Sequence, residues 1–266
     1  MEGRKMLDET IISKAILETY NKKLINCLNL DVAIAGAGPA GIVASYYMAR
    51  KGLHVAIFER KLSPGGGMWG GGMMFNQIVV QANALGVLDE FDISYKEYQK
   101  NYYVADSVEA MSKLLAKAMS AGVKIFNCIS VEDTVIINNV VKGFVINWSS
   151  VGIANLHVDP LTVKSKYAIE ATGHPLEVLT VLEKKADAKL RTKTGKIMGE
   201  MPMNADKAEK DTIKNTKEIY PGLFVVGMAA NAAFGGPRMG PIFGGMLLSG
   251  KKASEMIIKK FKKGKR

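Results

Sequence analysis

The chain has few of the residues that disulfide-bonded domains and many active sites depend on. Its 266 residues include only two cysteines, three histidines and eight prolines. Cys27 and Cys128 lack the spacing of a metal or redox motif, which predicts a reduced protein without a disulfide framework. No run approaches the roughly 20 apolar residues of a membrane span, and the N-terminus lacks a signal-peptide core. We therefore expect a soluble, cytoplasmic protein, with one α/β domain over residues 1–266.

Negative charge is scarce, and the positive excess is unevenly distributed. The formal net charge is +11, and residues 251–266 hold eight Lys or Arg against one Glu, so +7 of it lies in this tail. Such a tail is typical of the solvated face of a helix, predicted at residues 245–263, rather than of a nucleic-acid or membrane partner. The remaining positive charge would help to attract a phosphate-bearing substrate.

The clearest pattern that is present covers residues 31–60, DVAIAGAGPAGIVASYYMARKGLHVAIFER. It predicts a strand, a glycine turn, a helix and a second strand that ends in an acid. Gly36 would allow the tight turn, Gly38 the approach of a pyrophosphate, and Gly41 close packing of helix and strand. Glu59 would accept hydrogen bonds from a ribose, and the helix N-terminus would meet the phosphates. The pattern predicts an adenine-dinucleotide site.

Two further helices are predicted from periodicity and capping residues. An amphipathic helix at residues 10–28 would cover either the sheet or a neighbouring subunit, and the pattern does not choose between them. Another follows Asp106, which would cap it, with Glu109 at the capping-box position and Gly122 as its stop.

A β insertion is predicted at about residues 128–160. Its centre is an Asn138-Asn139 turn between two apolar runs, which indicates a hairpin and hence a small antiparallel layer between the halves of a parallel sheet. Residues 183–217 are polar and charged and predict only a mixture of helix and loop.

The glycine-rich stretch 63–75, SPGGGMWGGGMMF, has two interpretations. One is a flexible surface loop, since so many glycines favour neither helix nor strand. The other is a loop folded over a ligand, which we favour because several of its side chains would be costly to expose: Met68, Trp69, Met73, Met74 and Phe75.

Three histidines and one arginine are the candidates for chemistry. His54 opens a strand and is expected to be structural, whereas His174 follows a strand end, where α/β sheets bind ligands. His157 and Asp159 would project from one face of an extended segment. Spacing alone leaves a divalent metal as one alternative beside polar packing or substrate binding. Arg238, in GGPRMGP, could clamp a carboxylate or phosphate, or lie on a surface turn.

Taken together, these segments closely resemble the Thi4 family of thiazole synthases over nearly the whole chain. The resemblance rests on motifs in family order: GAGPAG at 36–41, FER at 58–60, PGGGMWGGGMMF at 64–75, LHVDP at 156–160, ATGH at 171–174 and GMAANAAFGGPRMGPIFGGM at 227–246. It implies a Rossmann-like α/β fold of the two-dinucleotide-fold flavoprotein type.

The resemblance also implies a reaction in which NAD is a substrate. NAD would lose nicotinamide, and the resulting ADP-ribose would isomerise, condense with glycine and receive sulfur to give an adenylated thiazole carboxylate. Arg238 would hold the glycine carboxylate. Beside the glycine turn, the implied NAD-site residues are Ala40, Glu59, Arg60, Gly67, Val131, His157, Val158, Asp159 and Met228.

Position 157 separates two branches of the family. Where members that sacrifice their own sulfur carry a cysteine in the LHVDP segment, this chain has His157, which has no sulfur to give. The sequence therefore resembles the archaeal branch, which takes free sulfide and uses Fe(II) over multiple turnovers. This resemblance implies that His157, Asp159 and His174 carry the chemistry, that Asp159 and His174 bind the iron from adjacent subunits, and that the assembly is a homo-octamer.

Two rival functions stay open. An FAD-dependent oxidoreductase could share this fold, but such enzymes usually carry Asp directly after the final strand's Gly, where this chain has Met228. A non-catalytic NAD or ADP-ribose binding module is the other alternative.

Overall fold

The structure, a computed structural model, describes residues 6–263. Its helices are α1 (Glu9–Asn26), α2 (Pro39–Ala49), α3 (Leu85–Glu90), α4 (Ser107–Ser120), α5 (Ser149–Ile153), α6 (Glu177–Ala186), α7 (Ala205–Asn215), α8 (Gly227–Phe234) and α9 (Gly244–Lys263). Its strands are β1 (Asn29–Ala35), β2 (Val55–Glu59), β3 (Gln77–Val80), β4 (Lys96–Gln99), β5 (Tyr102–Asp106), β6 (Lys124–Asn127), β7 (Ile129–Ile137), β8 (Val140–Trp148), β9 (Leu161–Glu170), β10 (Lys217–Tyr220) and β11 (Leu223–Val225).

The main sheet confirms the predicted Rossmann-like α/β fold. Its order is β10-β11-β9-β1-β2-β6, with β11, β9, β1, β2 and β6 parallel and β10 antiparallel at one edge. Side chains of β1 alternate between two cores: Val32 and Ile34 face one, Ala33 and Ala35 the other. Both faces of the sheet are therefore buried, as parallel sheets require.

The predicted glycine turn follows β1 and opens α2. Gly36 has φ +93°, and a Cβ on it would lie 2.6 Å from the carbonyl oxygen of Ala171. At Gly41 a Cβ would lie 2.7 Å from the carbonyl oxygen of Gly36. Only glycine allows the strand, the turn and the helix to approach one another this closely.

The predicted hairpin is present as β7 and β8. Asn138 and Asn139 have φ values of 52° and 59°, the positive pair that a type I′ turn needs. The first half of β9 pairs antiparallel with β8, and its second half pairs parallel with β1 and β11. The insertion is thus continuous with the main sheet through β9.

A second antiparallel sheet, with order β3-β5-β4, was not predicted. It leads into α4, whose predicted N-cap Asp106 is confirmed, because its carboxylate accepts from the N–H groups of Val108 and Glu109. The capping-box prediction for Glu109 is wrong. Its carboxylate accepts from the backbone N–H of Ser94 instead, 2.9 Å away, because the segment that precedes β4 lies on this side of the helix.

The two terminal helices behave differently. Helix α1 has no buried residue; Tyr20 and Leu24 pack against the core, whereas Ile11, Ile12 and Ile16 stay exposed. Helix α9 packs its apolar side against α2, as expected for an amphipathic helix. Lys265 and Arg266 of the basic tail lie outside the described residues. Within the described chain, each helix is too short or too polar to cross a membrane.

Candidate active site

A crevice of about 740 Å³ lies beyond the carboxyl ends of the parallel strands. Its walls come from the segments that follow β1, β2, β9 and β11, together with the glycine-rich loop and the loop that precedes α9. This is the position at which open α/β sheets bind ligands, because the strand ends and helix N-termini converge there. The volume is in the range of small-molecule and cofactor sites.

The glycine turn and Glu59, the last residue of β2, form the end of the crevice where the sequence predicts a dinucleotide. Glu59 is nearly buried, and its carboxylate accepts from the N–H groups of Ala37 at 2.8 Å and Lys61 at 2.9 Å. These bonds fix the side chain and leave lone pairs for a ribose diol. Arg60 lies beside it on the crevice wall and forms an ion pair with Glu177.

The turn that carries His174 is held by a buried carboxylate at the end of β9. Glu170 accepts from the N–H and hydroxyl of Thr172, at 2.8 and 2.6 Å, and from the N–H groups of Val178 and Leu179 at the start of α6. Burial raises the pKa of Glu170, and the four donors oppose that rise. This network places the His174 ring on the crevice wall.

Arg238 also lines the crevice, in a loop tied to residues 198–204. The backbone N–H of Arg238 donates to Met201, 3.1 Å away, and its carbonyl accepts from Asn204 at 3.0 Å. Asn231 supports the loop by donating its side-chain amide to the carbonyl of Pro237 at 3.2 Å. The guanidinium is exposed and, among residues 6–263, has no carboxylate within ion-pair distance. It is therefore available to an anionic ligand.

Two residues of the 183–217 stretch belong to this site and were missed by sequence reasoning. Met203 lines the crevice, and Glu200 contacts His174, with Oε1 2.6 Å from the imidazole Nδ1. Neither carries a motif, and the stretch has no periodicity that would place it near His174. Only the backbone pairing of Met201 with Pro237 brings it there.

The structure does not bring the LHVDP segment to the crevice of its own chain. His157 and Asp159 are exposed, in an irregular stretch before β9, and Val158 is 49% exposed. The segment is anchored on β8, where Asn147 donates its side-chain amide to the Val158 carbonyl at 3.1 Å. No group of three or more His, Cys, Asp or Glu in the described chain could hold a metal.

The remaining predicted residues divide clearly by position. Those on the crevice wall are Gly36, Gly38, Ala40, Glu59, Arg60, Gly67, Val131, Met228, His174 and Arg238. Gly41 packs behind the turn rather than on the wall. His157, Val158 and Asp159 do not line the crevice.

The glycine-rich loop is only partly folded inward. Met68 is fully buried, and Trp69 is half-buried with its indole N–H 2.7 Å from the carbonyl of Pro64. Met73, Met74 and Phe75 are 85%, 85% and 72% exposed. The loop lines the crevice from Gly66 to Met73, although Met73 is also exposed, whereas Met74 and Phe75 are exposed and do not line it.

Comparison with known proteins identifies the family. The model of the Thi4 family matches residues 13–243. This chain belongs to the Thi4 family. A thiamine thiazole synthase from Methanothermobacter thermautotrophicus is 56% identical over 256 residues, which cover 96% of this chain and 99% of that protein. One from Pyrococcus horikoshii is 56% identical over 257 residues, with 97% and 100% covered.

Solved structures agree with the family and with the fold. The crystal structure of THI4 from Thermovibrio ammonificans superposes with a TM-score of 0.93 at 49% identity, covering 97% of this chain and all of that one. A geranylgeranyl bacteriochlorophyll reductase-like protein from Thermoplasma acidophilum has a TM-score of 0.56 at 15% identity, covering 89% and 79%. The second likeness extends to the fold alone.

Proposed function

We propose that this Thi4 protein converts NAD, glycine and sulfide into the adenylated thiazole carboxylate precursor of thiamine, with Fe(II) and over multiple turnovers. The thiazole-forming activity follows from family membership at high identity over the full chain. The substrates, the metal and the source of sulfur are the part that we propose.

The proposal of an external sulfur source rests on the position of the two cysteines. A sulfur given up by the protein would have to come from Cys27 or Cys128, and neither lies on the crevice wall. Cys27 is fully buried, and burial raises the pKa of its thiol, which disfavours the reactive thiolate. His157 stands in the segment where sulfur-donating members carry a cysteine. We therefore propose an external sulfide as the sulfur donor.

The crevice supports NAD and glycine as the substrates. Gly36, Gly38 and the N-terminus of α2 offer a pyrophosphate a close backbone approach, and Glu59 faces the position of a ribose. The exposed guanidinium of Arg238, which lines the same crevice, suits the carboxylate of glycine, with two parallel hydrogen bonds. These groups support a crevice that holds both substrates of the proposed reaction.

The donor set suits Fe(II) only when two chains contribute. One chain offers the His174 imidazole at its crevice, while its Asp159 lies outside, and imidazole with carboxylate suits a divalent first-row metal. Bound there, Fe(II) would supply a Lewis-acid centre that favours the anionic form of sulfide. We propose His174 of one chain and the Asp159 residue of another as the ligands, with His157 beside Asp159.

A homo-oligomer, proposed as an octamer, accounts for the apolar residues that the single chain leaves exposed. Five lie on α1, each 47% to 64% exposed, and three lie at the tip of the glycine-rich loop. Soluble monomers rarely expose contiguous apolar surface of this kind. They are Ile11, Ile12, Ile16, Leu17 and Ile25, and Met73, Met74 and Phe75.

The test is an anaerobic incubation of the purified protein with NAD, glycine, sulfide and Fe(II). Multiple turnover predicts more than one adenylated thiazole per chain, with the mass of the protein unchanged. Product that stops at one per chain, together with dehydroalanine in the protein, would overturn the proposal. A yellow, flavin-containing preparation with reductase activity would support the FAD alternative, and unchanged NAD would support the binding module.

A further inference from the structure

We infer that Glu200 is a positioning residue that holds the His174 imidazole in one tautomer and one ring orientation. The inference adds to the proposed function and rests on it in one respect, the identity of the metal that the ring binds. Its starting point is one contact: Glu200 Oε1 lies 2.6 Å from His174 Nδ1. Among the described residues, this is the one hydrogen bond that the His174 ring makes.

The chemistry of the two groups fixes the direction of this bond. An ionised carboxylate only accepts hydrogen bonds, so the proton lies on Nδ1 and the Nδ1–H donates to Glu200. In the neutral ring, Nε2 then carries the lone pair. The ring lies on the crevice wall, so the contact prepares Nε2 as a ligand or base on the substrate side. Metal-binding histidines commonly have such a carboxylate on the other nitrogen.

Both ends of the contact are fixed by backbone hydrogen bonds. On the Glu200 side, Met201 N–H donates to the carbonyl of Gly236 at 3.0 Å, and Met198 N–H donates to that of Ala233 at 3.2 Å. On the His174 side, the buried Glu170 carboxylate holds the turn. A side chain between two such anchored segments can set the orientation of the ring, since neither backbone is able to relax easily.

Residues 198–204 also connect the His174 imidazole to the loop that carries Arg238. Residue 201, the immediate neighbour of Glu200, accepts the backbone N–H of Arg238 at 3.1 Å. Glu200 therefore defines the place of the His174 ring relative to the loop that presents the guanidinium. Loss of the Glu200 carboxylate should make the position of the His174 ring relative to the Arg238 loop less fixed. It should not change the proposed dinucleotide end of the crevice, where Glu59 makes separate contacts.

The first test reads the tautomer directly and needs neither metal nor substrate. The chain has only three histidines, so solid-state ¹⁵N spectra of histidine-labelled protein contain three rings, and His174→Gln identifies the signal of interest. At about pH 9, well above the ordinary imidazole pKa, we expect the His174 proton on Nδ1. In Glu200→Ala, it should move largely to Nε2. A proton on Nε2 in the wild-type protein overturns the inference, even if the variant fails to fold.

The second test measures Fe(II) affinity by anaerobic competition with a chromogenic chelator. Glu200→Ala should bind Fe(II) about 10- to 100-fold more weakly, as expected for loss of such a partner, with NAD affinity unchanged. Asp187→Ala is the matched control, because Asp187 lies at the start of the same loop and, among residues 6–263, its one ion pair is with the exposed Lys196, 2.9 Å away. Equal iron affinity in Glu200→Ala and the control overturns the role in metal binding. A Glu200-dependent tautomer without iron binding would instead contradict the proposed function alone.

Discussion

At the scale of single residues, replacing the guanidinium of Arg238 with an ammonium tests whether the planar shape of the group matters in addition to its charge. Its guanidinium can form two parallel bonds to a carboxylate, whereas an ammonium acts as a point charge. Arg238→Lys should raise the KM for glycine by about 10-fold, equivalent to about 1.4 kcal/mol, with NAD affinity unchanged. The control is Arg191→Lys, at an exposed arginine paired with Glu218. An unaltered KM for glycine would show that Arg238 does not bind this substrate.

A substitution in the glycine turn should lower stability, and a second glycine of the same βαβ unit provides the control. Gly36→Ala combines a positive φ with a Cβ 2.6 Å from the Ala171 carbonyl oxygen, whereas Gly52, at φ +77°, has no atom within 4 Å of a Cβ. We expect Gly52→Ala to lower the free energy of unfolding by about 1–2 kcal/mol through backbone strain, and Gly36→Ala by roughly 1–3 kcal/mol more through overpacking. Urea unfolding measures both. Equal losses would mean that the turn relaxes around the added methyl group.

At the scale of elements, the contact between α7 and the start of α9 should make the free energy of unfolding depend on pH. Glu209, which is 2% exposed, accepts the N–H of Gly245 at 2.7 Å, and burial raises the pKa of its carboxyl from 4.5 to about 6. The folded protein therefore binds this proton more tightly than the unfolded chain. As pH rises from about 4.5 to about 6, the contribution of Glu209 to the free energy of unfolding should fall by up to about 2 kcal/mol.

Replacement by glutamine isolates this effect. Glu209→Gln keeps an acceptor for Gly245 and removes the ionisation, so the difference in the free energy of unfolding between variant and wild type should grow in favour of the variant from pH 4.5 to pH 6. Urea unfolding at several pH values measures it. A difference that is constant with pH would contradict the raised pKa.

Elements with strong local signals were predicted correctly. The βαβ unit, the hairpin at Asn138-Asn139 and the Asp106 cap each depend on residues close in sequence, where a positive φ or a capping oxygen decides the conformation. The β3-β5-β4 sheet was missed because it depends on pairing between three short strands, and the role of Glu109 was wrong because it depends on Ser94, 15 residues earlier in the chain. Those contacts join segments that have no periodic relation in sequence.

At the scale of the whole molecule, the proposed two-chain site can be tested by mixing variants. His174→Ala should lower Fe(II) affinity and turnover with NAD binding largely intact, and Asp159→Ala should also lower Fe(II) affinity and turnover. If the two ligands come from adjacent chains, co-assembly of equal amounts should restore about a quarter of wild-type activity, since one site then combines intact residues from both variants. Each variant mixed with itself is the control. No recovery in verified mixed oligomers would mean that the residues do not complement each other across an interface.

The sequence by itself determined the βαβ unit with its glycine turn, the family and the residue types that line the crevice, because glycine spacing, turn residues and motifs act locally or in chain order. The tertiary structure alone decided that residues 198–204 run beside the Arg238 loop and bring Glu200 to His174. It also decided that His157 and Asp159 are exposed and do not line the crevice of their own chain. The position of Glu200 could not be predicted from sequence, since it depends on backbone hydrogen bonds between segments distant along the chain.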